Sequence, residues 1–425
     1  MHSFHFRLAA VAAVLASLAS SAAGFQKDSQ DNVAVYWGQN FETGGQQRLN
    51  TYCSSTKFNI IPIAFLVSLT DPVINLANGN NNCTTFPGST ALSCPQVEED
   101  IQTCQSKHGK TIMLSIGGAT YQEGGFPSPS AAQAGAEKIW NLFGPNTKTP
   151  NRPFGNAVID GFDFDFESAT QNMVPFAQRL RELMDADTKK QYYLSAAPQC
   201  PFPDRADGEM LAGEVAFDFL MVQFYNNYCG VQCFRQGRRR RPSTSPPGTP
   251  GPAASPLDGS RGSKNPDVKI LLGVPASKLA ASTGFVEPAL LQPIMKFCAD
   301  SFPSFGGVMM WDMSHLFSVS GGAGSFLEDV HGALSMAATS LLNGGKARVN
   351  GVNATATRPE QQGAPGSDSD TADDNDDDGD DDNDNNTNST SSGVITPTIS
   401  ASTRYYSSSM AVSWLATATL LYSLL

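Results

Sequence analysis

The amino-acid sequence predicts an α/β fold, a (β/α)8 TIM barrel, followed by a disordered acidic C-terminal tail rich in Ser, Thr and Asn. Eight short apolar or β-branched runs recur between Gln26 and about Ala338, and several intervening segments have helical spacing, for example VPFAQRLRELMDA at 174–186. Strands that alternate with helices form a parallel sheet, and eight such units close it into a barrel. From about Ser340 the apolar periodicity is lost, which separates the tail from the barrel.

The eight predicted strands are short runs of apolar and β-branched residues. In a barrel of this kind, the polar residues at the C-terminal ends of the strands form the active site. In chain order the runs are 32–40 (NVAVYWGQN), 58–69 (FNIIPIAFLVSL), 110–119 (KTIMLSIGGA), 157–167 (AVIDGFDFDFE), 192–198 (YYLSAAP), 217–227 (FDFLMVQFYNN), 268–277 (VKILLGVPAS) and 305–314 (FGGVMMWDMS).

The fourth run carries acids at every second position, Asp163, Asp165 and Glu167, with phenylalanines between them. Side chains of a strand alternate between two faces, so the phenylalanines pack under the helices and the acids converge in the lumen. Clustered acids in an apolar lumen repel one another, which raises at least one pKa and keeps a carboxyl protonated as a general acid. An acidic metal site or a solvated edge strand is the alternative, but alternating phenylalanines argue against solvent on both faces.

The N-terminal residues 1–23 are predicted to be a secretory signal peptide. His and Arg precede an apolar run of Leu, Ala and Val, and small residues follow up to Ala23, near which cleavage is expected. A buried N-terminal helix is the alternative interpretation of the same residues.

The segment 341–409 is predicted to be a disordered acidic linker. Its stretch 367–385 holds eleven aspartates and no basic residue, against a net charge of −12 for the whole chain. The acidity therefore belongs to the tail, the globular part is close to neutral, and such a block cannot bury a core. Calcium binding by these aspartates is the alternative to a charged spacer.

The apolar segment 410–425 is predicted to be a glycosylphosphatidylinositol signal, which is removed and replaced by a lipid. It lacks a basic flank and follows a polar stretch with small residues. A membrane span is the alternative, although sixteen residues are short for one. Both interpretations place the protein outside the cell, so we expect it to be secreted and anchored at the cell surface, to the plasma membrane or the cell wall.

The eight cysteines and the glycosylation sequons agree with an oxidising compartment, where disulfides are the default. No CxxC or His-rich spacing indicates a metal site, and neither a metal nor a cofactor is expected. Asn-x-Ser/Thr sequons, which are used only in a secreted chain, lie at Asn82, Asn353, Asn385 and Asn388.

Several motifs resemble one known family. DGFDFDFE at 160–167 fits the DxxDxDxE signature of glycoside hydrolase family 18, with Asp160 as its first acid. VYWGQN, SIGGA, MVQFYNN, LGVPAS and GGVMMWD resemble the corresponding strands of plant and fungal class III chitinases, in the same order, across nearly all of 28–340. The resemblance implies a catalytic barrel over 28–340 and, with the apolar tail, a lipid-anchored fungal-type endochitinase.

The resemblance also implies roles for individual residues. Members of this family use the N-acetyl oxygen of the substrate as nucleophile rather than a second carboxylate. Glu167 would protonate the leaving glycosidic oxygen and then activate water, and Asp165 would hold the acetamide N–H and stabilise the oxazolinium ion. Asp163 would share a proton with Asp165. Tyr225 matches the tyrosine that binds the acetamide carbonyl, with a core tyrosine as the alternative.

The remaining implied substrate contacts come from other strand ends. Trp311 matches the aromatic floor on which the distorted sugar stacks, and a core tryptophan is the alternative. Five more residues are expected to line the cleft: Tyr36, Gln39, Gly118, Gln223 and Asn226.

The resemblance assigns six of the eight cysteines to three bridges, Cys53–Cys104, Cys83–Cys94 and Cys200–Cys229. Cys233 and Cys298 remain, and whether they pair or stay free is open. One segment, 234–267, departs from the family, because four arginines followed by Pro, Ser and Gly replace an expected amphipathic helix. Either a disordered basic insertion or an error in the gene model would account for it.

The expected function is that of a monomeric endochitinase acting on chitin and N-acetylglucosamine oligomers, attached to a membrane through its lipid anchor and without a nucleic-acid partner. Three alternatives stand beside it. An endo-β-N-acetylglucosaminidase would act on N-glycans. A chitin-binding lectin on an inactive barrel is disfavoured because Glu167 is present, and a structural wall protein would not explain acids in the lumen.

Overall fold

The computed structural model of the chain describes residues 24–39, 45–234, 263–318 and 325–336. The predicted signal peptide, acidic linker and apolar C-terminal segment lie outside the described residues, as do the sequons at Asn353, Asn385 and Asn388. The same holds for 235–262, most of the segment that departs from the family pattern.

The described residues form a closed barrel of eight parallel strands, which confirms the predicted fold class. Each strand pairs in parallel with its neighbours in the chain, and β1 pairs with both β8 and β2 to close the barrel. The strands are β1 (Asn32–Val35), β2 (Ile60–Ser68), β3 (Thr111–Gly117), β4 (Gly161–Asp165), β5 (Tyr193–Ala196), β6 (Phe219–Gln223), β7 (Lys269–Pro275) and β8 (Phe305–Trp311).

Every strand is shorter than the apolar run that predicted it, because the first or last residues of each run lie in loops outside the sheet. Three short strands lie outside the barrel wall. Val73–Ile74 pairs antiparallel with the end of β2, while Thr84–Thr85 and Leu92–Ser93 form a separate hairpin.

Helices surround the barrel and shield the outer faces of the strands. They are α1 (Leu49–Cys53), α2 (Pro95–His108), α3 (Pro129–Phe143), α4 (Met173–Ala186), α5 (Pro288–Ser301) and α6 (Met313–Leu316), with a further helix at 325–336. α4 confirms the helix predicted at 174–186. None of the helices in the described part of the chain is long and apolar enough to cross a membrane.

The start of α3 illustrates how local sequence sets these boundaries. Ser128 has extended backbone angles and its Oγ accepts a hydrogen bond from the N–H of Ala131, while Pro129 occupies the first helical position. Between β6 and β7 the only helical element in the described residues is the short 3-10 turn Val231–Cys233.

The alternation in β4 divides the core in the way that the sequence predicts. Phe162, Phe164 and Phe166 are completely buried outside the barrel, and the ring of Phe164 lies 5.9 Å from that of Phe176 on α4. Burying a phenylalanine contributes about 1.5–3 kcal/mol relative to leaving it exposed. The same alternation directs the acids of β4 inward.

A smaller apolar cluster fills the barrel interior, and Phe25 closes its lower end. The ring of Phe25 lies 4.6 Å from that of Phe219 and 5.2 Å from that of Tyr193, while its backbone N–H donates to Oγ1 of Thr111. The residues just after the predicted signal peptide therefore belong to the core.

Three disulfides tie the loops, and they are the three pairs that the resemblance implies. Cys53–Cys104 joins α1 to α2, Cys83–Cys94 holds the start of α2, and Cys200–Cys229 links the loops after β5 and β6. Cys233 and Cys298 are free thiols, the first exposed and the second buried.

Candidate active site

Asp163 lies at the centre of a hydroxyl cage inside the barrel. Its Oδ2 accepts hydrogen bonds of 2.7 Å from the hydroxyls of Tyr36 and Ser115, and its Oδ1 accepts one of 2.7 Å from Ser195. Burial raises the pKa of this carboxyl, and the three hydroxyl donors lower it in part.

The two serines of this cage were missed by sequence reasoning. Strand register places Ser115 of β3 and Ser195 of β5 directly beside Asp163. The available signal was a single serine within each of two apolar strand runs, at a position that faces inward.

Asp165 lies one pleat nearer the mouth and is also buried. Its Oδ1 accepts a 2.8 Å hydrogen bond from Nε2 of Gln223, which donates a second one to the carbonyl of Ala197. Burial raises the pKa of Asp165 well above its usual value, and the charges of Glu167 and Asp163 raise it further.

The link between Asp163 and Asp165 is electrostatic. The hydrogen bonds that Asp163 accepts within the described structure come from hydroxyls, and the shared proton implied by the resemblance stays a prediction. The charge on Asp163 disfavours ionisation of Asp165 and so contributes to its raised pKa.

Glycine residues bring the end of β3 against Asp165. Gly117 has φ +119°, and a Cβ there would lie 2.3 Å from the carbonyl oxygen of Asp165. Gly118 has φ +76°, and its N–H donates to the same oxygen at 2.7 Å. Any larger residue would push β3 away from the acid.

Glu167 stands at the rim of the barrel, two residues beyond Asp165 and open to solvent. The surrounding protein raises the pKa of its carboxyl through desolvation. A raised pKa at the edge of a cleft is suitable for a group that must donate a proton to a substrate.

A cavity of about 260 Å³ opens between these acids and the opposite wall. Trp311 forms that wall, partly exposed and stacked on Phe65 with ring centroids 5.8 Å apart. Tyr225 is buried beside the cavity, and burial raises the pKa of its hydroxyl well above the usual value. The lining residues are Ala119, Asp165, Glu167, Gln199, Gln223, Tyr225, Asn226, Asn227, Ala280 and Trp311.

Three residues that we expected to line the cleft lie outside this cavity wall. Tyr36 sits below it, bonded to Asp163, and Gly118 shapes the backbone behind Asp165. Gln39 donates its side-chain amide to three backbone carbonyls: Gly38 at 3.0 Å, Ala64 of β2 at 3.0 Å and Asn75 at 3.1 Å. These three residues hold the acids and the surrounding backbone in position without lining the cavity.

Gln223 and Asn226 do line the cavity. The Oδ1 of Asn226 also accepts hydrogen bonds from the N–H and hydroxyl of Ser282, at 2.9 and 2.8 Å. This side chain therefore holds the loop after β7 in place at the mouth.

Gln199 and Asn227 are cavity residues that sequence reasoning did not single out. The amide of Asn227 donates to Oε1 of Gln199 at 3.0 Å, so the loops after β5 and β6 meet at the cavity edge. Asn227 ends the predicted strand run at 217–227, and its position there was the only signal.

Two further acids, Asp204 and Asp207, are buried in the loop after β5. Asp204 accepts hydrogen bonds from the N–H groups of Gln199 and Asp207. Both carboxyl oxygens of Asp207 are buried without a hydrogen-bond partner in the described structure. Burial raises the pKa of Asp207 well above its usual value, and the charges of Asp204, Asp165 and Asp163 add to the effect.

Asp160, the first acid of the DxxDxDxE pattern, lies away from this cavity. Its Oδ2 accepts hydrogen bonds from the N–H of Ile112 at 2.6 Å and from Gln105 at 2.8 Å. Its Oδ1 forms a 2.8 Å ion pair with Lys190. Asp160 therefore joins the start of β4 to β3 and α2.

The chemistry available here is proton transfer and polar orientation. Within the described residues, no group of His, Cys, Asp and Glu side chains is arranged to hold a metal ion. The cavity offers a carboxyl with a raised pKa at its rim, a buried acid beneath it, a tyrosine hydroxyl and a flat indole. This set can protonate a leaving oxygen while holding a ring with polar substituents.

Comparisons with known proteins agree with this geometry. Residues 32–288 match the model of glycosyl hydrolases family 18. The chain is 45% identical over 331 residues to a class III chitinase of Arthroderma benhamiae, covering 76% of this chain and 91% of that protein. It is 43% identical over 319 residues to endochitinase 33 of Trichoderma harzianum, covering 74% and 96%.

Solved structures share the fold. The ICChI chitinase of Ipomoea carnea is 27% identical with a TM-score of 0.55, over 71% of this chain and 99% of that one. A xylanase and α-amylase inhibitor protein, XAIP-I, is 29% identical with a TM-score of 0.53, over 71% and 98%. Because one fold carries both a chitinase and an inhibitor, fold alone does not decide function. The family match spans more than half of the chain and two relatives exceed 40% identity, so the chain belongs to family 18 of the glycosyl hydrolases.

Proposed function

We propose that the protein is an endochitinase that hydrolyses β-1,4 bonds between N-acetylglucosamine units with retention of configuration. The observation that carries the proposal is the arrangement of Glu167 above Asp165 on one wall of a cavity whose opposite wall is Trp311. The similarity to proteins named class III chitinase and endochitinase 33, over nine-tenths or more of their length, supports the choice of substrate.

In the proposed first step, Glu167 gives its proton to the glycosidic oxygen as the bond from that oxygen to the anomeric carbon breaks. The carbonyl oxygen of the substrate's own acetamide attacks the anomeric carbon and forms a cyclic oxazolinium ion. The raised pKa of Glu167 favours the protonated form that this step requires.

Asp165 and Tyr225 orient the acetamide. Asp165 accepts a hydrogen bond from the acetamide N–H and stabilises the positive charge of the oxazolinium ion, while the Tyr225 hydroxyl donates to the acetamide carbonyl. Gln223 holds Asp165 in place through its 2.8 Å hydrogen bond. The indole of Trp311 supports the sugar ring from below.

In the second step, Glu167 takes a proton from a water molecule that attacks the anomeric carbon. The oxazolinium ring opens, and the sugar is released with a hydroxyl on the original face. Two inversions give retention, so the first product is the β-anomer. Glu167 ends protonated and ready for another cycle.

The mechanism is tested by proton NMR of the nascent products together with an assay on fully deacetylated chitosan. We expect an initial β-anomer and no cleavage of chitosan, because chitosan lacks the nucleophile. An initial α-anomer or efficient chitosan cleavage would rule out the roles given to Asp165 and Tyr225.

The substrate class is tested by assaying the purified protein on N-acetylglucosamine oligomers and on a high-mannose glycopeptide. Cleavage of the oligomers alone supports the endochitinase. Cleavage of the glycopeptide alone would replace it with an endo-β-N-acetylglucosaminidase, and binding of oligomers without cleavage would indicate a lectin.

We also propose that the protein acts outside the cell, attached to the surface through a lipid. The support is the composition of 1–23 and of 410–425, together with three disulfides in the barrel. Phosphatidylinositol-specific phospholipase should release the protein from membranes. Retention after release of a sensitive control protein would favour a spanning segment.

A further inference from the structure

Two exposed aromatic residues lie on the loops whose residues Gln199 and Asn227 line the cavity. Tyr228 is 79% exposed and Phe202 is 37% exposed, and neither contacts another aromatic ring in the described structure. The other exposed aromatic residue of this kind, Phe297, packs against neighbouring rings at 5.2 and 6.1 Å. Aromatic side chains contribute much of the contact area at binding surfaces, because each offers a large apolar face.

The Cys200–Cys229 disulfide ties together the two loops that carry these residues, which we call the rim pair. Phe202 lies two residues after Cys200, and Tyr228 directly precedes Cys229. The two Cα atoms of the bridge are 5.9 Å apart. A covalent link between the two loops reduces the freedom that a bound ligand would otherwise have to remove.

The rim pair begins where the cavity wall ends. Asn227, the residue before Tyr228, lines the cavity and donates a hydrogen bond to Gln199, the residue before Cys200. After Gln199 and Asn227, both loops lead away from the cavity. A bound polymer that extends beyond the cavity on the β5–β6 side therefore passes the rim pair.

The chemistry of the rim pair matches the apolar face of a sugar ring. Both side chains are uncharged, and Trp311 provides the same kind of flat surface inside the cavity. A cavity of about 260 Å³ is too small for a polymer, so further units of a bound chain lie outside it. Covering an exposed ring with the C–H face of a sugar removes apolar surface from water.

We infer that Phe202 and Tyr228 bind N-acetylglucosamine units of the polymer that lie outside the catalytic cavity. This inference rests on the proposed function and extends it to chain-length preference. The rim pair favours long substrates over short ones, and it does so through stacking, without a contact to the bond that breaks.

The test compares Tyr228→Ala, Phe202→Ala and Tyr228→Phe with the unmodified protein on the tetramer and the hexamer of N-acetylglucosamine. Tyr228→Ala should raise KM for the hexamer about three- to tenfold with little change in kcat, the effect of losing one stacked ring. The tetramer should respond less. Tyr228→Phe should behave like the unmodified protein, because the ring and not the hydroxyl provides the contact.

Leu290→Ala is the matched control, since Leu290 is an exposed apolar residue on the outer face of α5. It should leave both substrates unchanged. Binding to insoluble chitin gives an independent measurement and should weaken in the two alanine variants of the rim pair. Melting temperatures identify any variant that lost activity through misfolding. Such a variant is replaced by a substitution to Leu at the same position.

Unchanged hexamer kinetics and unchanged chitin binding in both alanine variants would overturn the inference while leaving the proposed function intact. Equal losses on tetramer and hexamer would place the effect inside the cavity and would also overturn it. Failure of the unmodified protein to cleave any oligomer would instead overturn the proposed function. Concentration-dependent dimerisation that Tyr228→Ala abolishes would assign the surface to a second copy of the chain.

Discussion

The side-chain amide of Gln223 donates a 2.8 Å hydrogen bond to Oδ1 of Asp165, from the end of β6 to the end of β4. This bond lowers the pKa of an acid that burial and the neighbouring carboxyls raise. Gln223 therefore holds Asp165 in position and favours its ionised form.

Gln223→Leu should reduce kcat by about ten- to hundredfold, because a hydrogen bond to a charged group contributes about 1.5–3 kcal/mol. Removing the donor raises the pKa of Asp165 further, so the acidic limb of the kcat profile should move to higher pH. The profile is measured by oligomer hydrolysis across pH. An acidic limb that stays in place would show that ionised Asp165 is not required.

Glu167→Gln should abolish most turnover, by about 10²–10⁴-fold or more, because an amide cannot donate the proton that the leaving oxygen needs. Binding of oligomers, measured by calorimetry, should change little. Glu209→Gln is the matched control, because it removes the charge of an exposed glutamate on the loop after β5 and should leave turnover unchanged.

The pH dependence of the unmodified enzyme follows from Glu167. Glu167 must be protonated to act as the acid, so activity falls as pH rises through its folded-state pKa. Because desolvation raises this pKa, the fall should occur above the pH at which an exposed glutamate ionises, about 4.3. A basic limb at or below that pH would contradict the assignment.

Asp207→Asn should stabilise the fold at neutral pH. Folding raises the pKa of Asp207, so the unfolded state ionises first and the free energy of unfolding falls as pH rises above about 4. The neutral Asn of the variant does not ionise, so its free energy of unfolding does not fall in this way. Each pKa unit of difference between the folded and unfolded states corresponds to about 1.4 kcal/mol. Its advantage in melting temperature should therefore grow from pH 4 upward and be absent below it. An advantage that is constant with pH would contradict this account.

Asp160→Asn should destabilise the barrel without changing kcat. The carboxylate satisfies the N–H of Ile112, the amide of Gln105 and the ammonium of Lys190, and an amide cannot accept all three. We expect a loss of about 1–3 kcal/mol in the free energy of unfolding, measured by urea denaturation. Asp267→Asn, at an exposed position, is the control. A large fall in kcat with unchanged stability would instead assign Asp160 a part in catalysis.

The sequence by itself determined the barrel and the direction of the β4 acids. Strand alternation has a period of two residues and is a local property, so Phe164 and Asp165 could be assigned to opposite faces without knowledge of their neighbours. The number of runs and the helical spacing between them then determined the closed parallel sheet.

Only the tertiary structure decided how residues distant in the chain converge. The cage of Tyr36, Ser115 and Ser195 around Asp163 depends on the register between strands, which the separate apolar runs do not encode. The unpartnered Asp207 depends on how the loop after β5 folds over the sheet, and the same is true of the exposed Tyr228. Alternation within one strand is set by adjacent residues, whereas register, loop packing and burial result from contacts between segments far apart in sequence, and these exist only once the barrel has closed.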